Sequence, residues 1–316
     1  MSTNLNQLAI VIVTYQRQLL LQQLLDSISR LNSTPWLIVI VDNENSEDTK
    51  QIANIFTQTH QIPTLYHAMS ENTGGAGGFS KGVELAYQEG AEWFWIMDDD
   101  VEVMPNAIEL MDPFADKYQA IQSRRWDFDN TPLYWQYHFS TSLGILSPIA
   151  RKDFGRATTI PVQQICFEGG LIHREIVEQI GFPDARFFIY WDDVIYGYLT
   201  SKVTPVVYAD IFTLKRTRIL ESLKFGARKL RSSSDLTRYY IMRNRGYMYH
   251  YLKMYGDLNP FTFAFGTFLT WIKEAIRIIK VDHSGKSSFS ELLRGLKDAR
   301  KLKQDSSWSP PNQLII

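Results

Sequence analysis

The chain has 316 residues, a formal net charge of -1 and 45% hydrophobic side chains. That size and apolar content fit one large domain with an appendage, or two modest domains, and exclude global disorder. The balanced total gives no reason to expect a nucleic-acid partner, although Lys and Arg gather in 215–245 and 271–303 while the acidic clusters lie before residue 195.

Leu8 to Val13 is a short aliphatic run ending at Thr14-Tyr15, which reads as a buried strand. Residues 17–31 carry Leu and Ile at helical spacing, and Trp36 to Val41 forms a second buried strand ending at Asp42-Asn43. Ser46 is placed to cap the next helix, a third strand is expected over 64–68, and a glycine-rich segment leads into a helix over about 80–89. Trp93 to Met97 is the fourth strand. Strands alternating with helices predict a parallel, doubly wound α/β sheet, whose ligands sit beyond the carboxyl ends of the strands. The polar residues Thr14-Tyr15, Asp42-Asn43 and Asp98-Asp99-Asp100 each follow an apolar strand directly, so three strand ends converge on one crevice.

Beyond residue 105 the pattern is mixed. The aromatic and polar stretch 122–140 reads as loop or edge hairpin, with strands expected over 141–147, 162–167 and 203–208. From about 233 the chain reads as helical, broken near Gly256–Pro260 and His283–Ser288. The expected division is a catalytic domain over 1–232, with a donor half 1–105 and an acceptor half 106–232, followed by a helical region over 233–316. Basic amphipathic segments in that region suit peripheral contact with an anionic membrane, or packing on the catalytic domain. The lone Cys166 lies in an apolar run and reads as a small buried hydrophobe. The absence of a disulfide framework, of a leader pattern and of an apolar span of about 18 residues leads to the expectation of a cytoplasmic protein, peripheral at most on the inner face of the cell membrane.

Asp98-Asp99-Asp100 places three carboxylates side by side, which repel one another unless a cation or water balances them. Oxygen ligands suit Mg²⁺ or Mn²⁺, which bind diphosphates with a few carboxylates. Glu71 to Phe79 has four glycines in five residues at a helix start, where backbone approaches a ligand closely and phosphate is favoured. Trp191-Asp192-Asp193 offers carboxylates that suit either a helix N-cap or a general base.

The order Val13-Thr14-Tyr15, Val41-Asp42-Asn43, Asn72 to Phe79 and Met97 to Asp100 resembles the family 2 glycosyltransferases of the GT-A fold. The glycine block followed by the triple Asp is most similar to bacterial galactofuranosyltransferases. The resemblance continues through Glu168-Gly169-Gly170, Arg174, Gly181-Phe182-Pro183 and Phe187 to Asp193, and Tyr239-Tyr240-Ile241-Met242-Arg243-Asn244 looks like an element shared with rhamnosyltransferases. It implies a GT-A domain and an inverting, metal-dependent transfer of a hexose, galactofuranose from its UDP donor, to a bacterial cell-surface glycan or lipid-linked acceptor. It implies that Thr14, Tyr15, Asn72, Gly74, Gly75, Asp98 and Asp99 hold the donor and that Asp42 accepts from the base imide. Asp98 and Asp100 would bind Mg²⁺ or Mn²⁺, and Trp191, Glu168 and Gly169 would meet the acceptor. Asp193 would be the base, with Asp192 orienting acceptor hydroxyls.

Two departures stand out. The acidic residue expected two positions after the Asp pair is Ile195, and the segment Val206 to Asp210 lacks the family's metal-ligating His, leaving Asp210 as a candidate substitute. Rhamnosyl transfer from a dTDP donor is the close alternative. A nucleotidyltransferase would need a glycine signature near the first strand, which Val13 to Arg17 lacks, and a non-catalytic sugar-binding module would not need both acidic clusters.

Overall fold

Strand β1 (Leu8–Thr14) is buried at every position, as is β2 (Leu37–Asp42). Helices α1 (Gln18–Ile28), α2 (Glu47–His60) and α3 (Gly74–Glu89) alternate with these strands, β3 (Thr64–Ala68) and β4 (Trp93–Asp98). The structure is a computed structural model describing residues 4–133, 137–149, 151–218, 222–225 and 228–311. β1 pairs in parallel with β2 and β4, and β2 with β3, as the alternation of strands and helices predicts. Side chains alternate across the sheet. Val11, Val13, Val41 and Ile96 join Phe79 and Val83 of α3 on one face, while Ile10, Ile12, Ile40 and Met97 join Leu21, Leu24 and Leu25 of α1 on the other. The parallel register sets Thr14 beside Asp42 and Val13 beside Asp98, which puts the polar residues along one edge.

After β4 the chain forms β5 (Val101–Val103), α4 (Ala107–Ala115), β6 (Ala120–Trp126), β7 (Pro132–Leu133), β8 (Tyr137–Ser140), β9 (Ile145–Pro148), β10 (Thr159–Val162) and β11 (Gly170–His173). Then come α5 (Arg174–Ile180), α6 (Asp192–Val203), β12 (Val206–Arg216) and a short hairpin of β13 (Ser222–Phe225) and β14 (Arg228–Arg231). The large sheet runs β10-β12-β6-β11-β4-β1-β2-β3, with β5 on β12 and β7 on β6. β11 is antiparallel to both β4 and β6, so the sheet is mixed in this half.

Three sequence readings change here. Residues 120–126 form a buried strand inside the sheet, because Gln122, Arg124 and Arg125 find polar partners there; Tyr134 and Trp135 of the same stretch lie outside the described residues. The strands expected over 141–147 and 162–167 are replaced by the β8–β9 hairpin, β10 and β11. Helix α3 also starts at Gly74 rather than near 80, so the glycines belong to its first turns.

Helices α7 (Asp235–Arg243), α8 (Arg245–Met254), α9 (Pro260–Lys280) and α10 (Lys286–Gln304) follow; the breaks before α9 and α10 fall where the sequence suggests, and the one at Asn244 was not expected. Tyr247, Met248, Tyr251 and Phe263 share a core with Phe187 and the sheet. Arg245 is fully buried, donating to the Leu143 and Gly144 carbonyls and to Thr267, and burial lowers its basicity to about 9. Among the described residues no helix is long and apolar enough to cross a membrane.

Candidate active site

The end of β4 carries the first acidic cluster. Asp99 is buried, accepting from the Thr14 hydroxyl at 2.7 Å and from Arg17 at 2.9 Å. Arg17 also lies 3.6 Å from Asp100. Asp98 sits among Asp99, Asp100 and Glu168, and its proton affinity is raised well above the ordinary carboxylate range, first by burial and then by Asp100 and Glu168, with Arg17 offsetting part of the effect. A carboxylate held among other carboxylates is a position that a divalent cation would relieve. Asp98 and Asp100 fit that role, since Asp99 already has two donors. Asp210 does not complete a ligand set, because its carboxylate pairs with Arg124, whose guanidinium lies 4.3 Å over the Phe212 ring. Among the described residues no group of three or more His, Cys, Asp or Glu forms a ready-made cation cage. A two-carboxylate site matches Mg²⁺ or Mn²⁺, which fill their shells from diphosphate and water.

At the neighbouring strand ends, Tyr15 is 41% exposed, while Asp42 is fully buried. Asp42, expected to accept from the base, instead accepts from the Glu44 and Ser46 amides and the Tyr66 hydroxyl, which shapes the loop after β2. Asn43 reaches across to the glycine block, donating to the Gly74 carbonyl at 3.0 Å and accepting from the Thr73 amide and hydroxyl. Asn72 accepts from the Gly74 amide at 2.9 Å. Gly74 has φ +69°, and a Cβ there would fall 2.1 Å from the Phe188 carbonyl oxygen, which accepts from the Ala76 amide. These first-turn amides were expected to face a phosphate; the Gly74 and Ala76 amides are already engaged. Gly75 remains the open position, with only the Phe79 ring, 3.8 Å away, near a Cβ.

The segment that receives α3 also delivers the second acidic cluster. Phe188, Tyr190 and Trp191 all have positive φ, 64°, 68° and 72°, in the left-handed region that side chains other than glycine rarely adopt. Such backbone persists only where its surroundings over-determine it. Here the Asn244 amide donates to the carbonyls of Phe187, Ile189 and Tyr190, and Arg243 donates to that of Arg186 and to the Asn244 side-chain oxygen. Phe188 stacks on Tyr240 at 4.8 Å. The Trp191 indole N–H donates to the Ile241 carbonyl at 3.0 Å, so α7 anchors the ring proposed to face a sugar. The Tyr239-to-Asn244 element is thus a clamp on the turn that starts α6.

Asp192 and Asp193 open α6. Burial pushes both up, Asp192 further because Asp193 adjoins it. Asp193 accepts from the Val194 amide at 2.7 Å, lies within hydrogen-bond reach of the Cys166 thiol and feels the charge of Arg125. Burial raises the Cys166 thiol to about 12, so it stays protonated and can donate. Arg125 lies 3.4 Å from the Cys166 sulfur.

Glu168 joins the two clusters. Its carboxylate lies 3.1 Å from Arg125 and 3.1 Å from Arg216, all three buried. It was expected to meet the acceptor, but two guanidinium groups occupy it. Gly169, with φ +98°, donates its amide to Ile96 in the strand that ends at Asp98 and leaves no room for a side chain against Leu214. The path Asp98, Glu168, Arg125, Cys166, Asp193 therefore links the acidic clusters through charged and polar neighbours. Arg17, Arg125 and Arg216 were not singled out from sequence, and Asn43 was named only for its place at a strand end. Arg124, Arg125 and Arg216 stand on β6 and β12, where a buried charge needs a partner, but no local pattern in the sequence marks them. His173 caps α5 by accepting from the Glu175 amide.

Comparison with known proteins identifies the fold and the family. The chain is similar to the galactofuranosyltransferase GlfT1 of Mycolicibacterium smegmatis, 28% identical in an alignment of 205 residues that covers 58% of this chain and 62% of that relative. Its fold matches S. aureus TarS 1-349, solved in complex with UDP-GlcNAc, with a TM-score of 0.57 and 13% identity over 93% of this chain and 81% of that one. It also matches the mannosyltransferase PcManGT from Pyrobaculum calidifontis, solved in complex with GDP-Man and Mn²⁺, with a TM-score of 0.51 and 12% identity over 98% and 90% of the two chains. These neighbours are GT-A glycosyltransferases, and the model of Glycosyl transferase family 2 matches residues 9–181, more than half of the chain, so the chain belongs to glycosyl transferase family 2.

Proposed function

We propose that this transferase moves galactofuranose from a UDP donor to a hydroxyl of a bacterial cell-surface glycan or lipid-linked acceptor, with inversion at the anomeric carbon. The observation that carries the reading is the linkage of the Asp98 and Asp193 clusters at the carboxyl edge of the sheet, one suited to a diphosphate–metal group and one to a base. Tyr15, the open face at Gly75 and the Asp98 cluster form the donor side, with Thr14 and Asn72 positioning it and Asp42 acting on the base through the loop after β2. Mg²⁺ or Mn²⁺ held by Asp98 and Asp100 would supply Lewis-acid stabilisation of the departing diphosphate. Asp193 removes the proton from the acceptor hydroxyl as the oxygen attacks the anomeric carbon and the bond to the diphosphate breaks. Asp192 orients the acceptor, and the Trp191 face packs against its ring. Residues 1–232 form the catalytic domain in this reading, and the helices of 233–316 support it. The mycobacterial relatives named as galactofuranosyltransferases support the donor assignment.

A donor panel tests it. UDP-galactofuranose, UDP-galactopyranose, dTDP-rhamnose and UDP-glucose are compared by saturation-transfer NMR and slow donor hydrolysis. UDP-galactofuranose is expected to give the strongest transfer and the fastest hydrolysis. Preference for dTDP-rhamnose would overturn the donor assignment.

A further inference from the structure

Arg17 brings a positive charge into the acidic cluster at the end of β4. It stands directly before α1, whose first turn holds no acidic residue and adds the partial positive charge of a helix start. Its side chain is 37% exposed, and the guanidinium lies 2.9 Å from Asp99 and 3.6 Å from Asp100. The Thr14 hydroxyl donates to the other oxygen of Asp99 at 2.7 Å, so both oxygens of that carboxylate are engaged. Glu168, a further carboxylate that Asp98 feels, lies 3.1 Å from each of two buried guanidiniums, Arg125 and Arg216.

The negative charge left for a divalent cation is therefore small. Asp99 and Glu168 are matched by guanidiniums, which leaves Asp98 and Asp100, and Arg17 lies against Asp100 as well. A cation on that pair sits close to a positive charge, across a partly buried distance that salt screens little. A diphosphate has the opposite sign, so the same guanidinium that repels the cation attracts it. Mg²⁺ and Mn²⁺ are held by one or two carboxylates together with phosphate oxygens, and a cluster that is nearly balanced suits that shared mode of binding.

We propose that Arg17 makes cation binding depend on the donor: its charge weakens Mg²⁺ or Mn²⁺ on Asp98 and Asp100 alone and favours the cation that comes with a diphosphate. The role rests on the cation assigned to Asp98 and Asp100 under the transferase reading, and not on the sugar that the donor carries. It acts through charge rather than shape, because the Thr14 hydroxyl holds Asp99 in place independently of Arg17. Removing the charge is therefore expected to move the two ligands in opposite directions.

The test measures Mn²⁺ binding to the full chain without nucleotide, as loss of the free-ion signal in electron paramagnetic resonance, and UDP binding without metal, by calorimetry. Wild type is expected to bind Mn²⁺ weakly. R17Q is expected to bind Mn²⁺ roughly tenfold more tightly and UDP more weakly, since the lost charge acts on the two ligands with opposite sign. R17K keeps the charge and is expected to stay within about threefold of wild type for both. R17A repeats the first arm should R17Q melt early. A merely structural role for Arg17 would weaken both ligands together, and that result overturns the proposal. So does an R17K chain that behaves like R17Q. If wild type and R17Q take Mn²⁺ alike, the cation assignment stands and the role of Arg17 falls; if neither takes Mn²⁺, both fall. If R17Q gains Mn²⁺ affinity but UDP-galactofuranose is not hydrolysed by wild type, the role of Arg17 stands and the donor reading fails.

Discussion

Asn244 is the residue whose removal isolates the clamp from the chemistry. Its side-chain amide has two N–H donors that serve three carbonyls, at 2.9 Å to Phe187, 2.8 Å to Ile189 and 2.9 Å to Tyr190. Those carbonyls belong to a turn with Phe188, Tyr190 and Trp191 in the left-handed region, where each such residue costs on the order of 1–3 kcal/mol. Loss of two to three hydrogen bonds at about 1 kcal/mol each releases the turn by about 2–3 kcal/mol. Were all of that to appear as misplacement of Asp193, transfer would slow by about 30–150-fold, since each 1.4 kcal/mol is a factor of ten. Asn244→Ala is therefore expected to cut kcat by this order with donor affinity within twofold of wild type. Asn244→Asp should be worse than Ala, because it turns an acceptor toward three carbonyls. Initial rates at saturating donor, calorimetric donor affinity and thermal melts check the prediction. An Ala variant within threefold of wild-type rate, or an Asp variant faster than Ala, would refute the clamp.

Other outcomes follow from the same geometry. Excess EDTA is expected to abolish transfer and added Mg²⁺ or Mn²⁺ to restore it, with Asp98→Asn losing most of the rate; full turnover in EDTA contradicts the assignment of Asp98 and Asp100. Asp193 is raised to about 6 by burial, so the ionised base is lost as pH falls through that value. The rate should then drop about tenfold per unit below it, and a flat profile to pH 5 would sink the assignment. Asp192 is raised to about 8, first by burial and then by Asp193. A carboxylate raised above its unfolded value favours folding fully at low pH and loses that contribution as pH rises through its folded value. The melting temperature of Asp192→Asn relative to wild type should therefore climb between pH 5 and 9; no change in that difference would show that Asp192 ionises without penalty.

Much of the donor half was legible in the sequence because its signals are local. An apolar run followed by two or three polar residues marks each of β1, β2 and β4, and the register of the parallel strands brings Thr14, Asp42 and Asp98 to one edge without further information. The acceptor half depends on contacts across long separations. Arg125 meets Glu168, and Asn244 meets a turn more than fifty residues earlier. No period or propensity in 122–126 announces a buried strand when its side chains are Gln, Ser and Arg; only their partners make it one. The glycine block shows the same limit. Its composition suggested a ligand loop, whereas Gly74, Gly78 and Gly82 are small because Phe188, Val13 and Val11 press against them. The Tyr239-to-Asn244 motif was visible as a pattern, but its role needed the three carbonyls that Asn244 binds.

The central claim is that Asp193 moves the acceptor proton while the Asp98 cluster holds the donor. Asp193→Asn keeps the shape of the side chain and removes its basicity. With a synthetic acceptor and saturating donor, the initial transfer rate of this variant should fall by about 10²–10⁴-fold, the contribution of a positioned general base, while calorimetric donor affinity stays within twofold of wild type. Retention of most of the rate, or a loss of donor binding in step with activity, would contradict the account and pass the base assignment to Asp192.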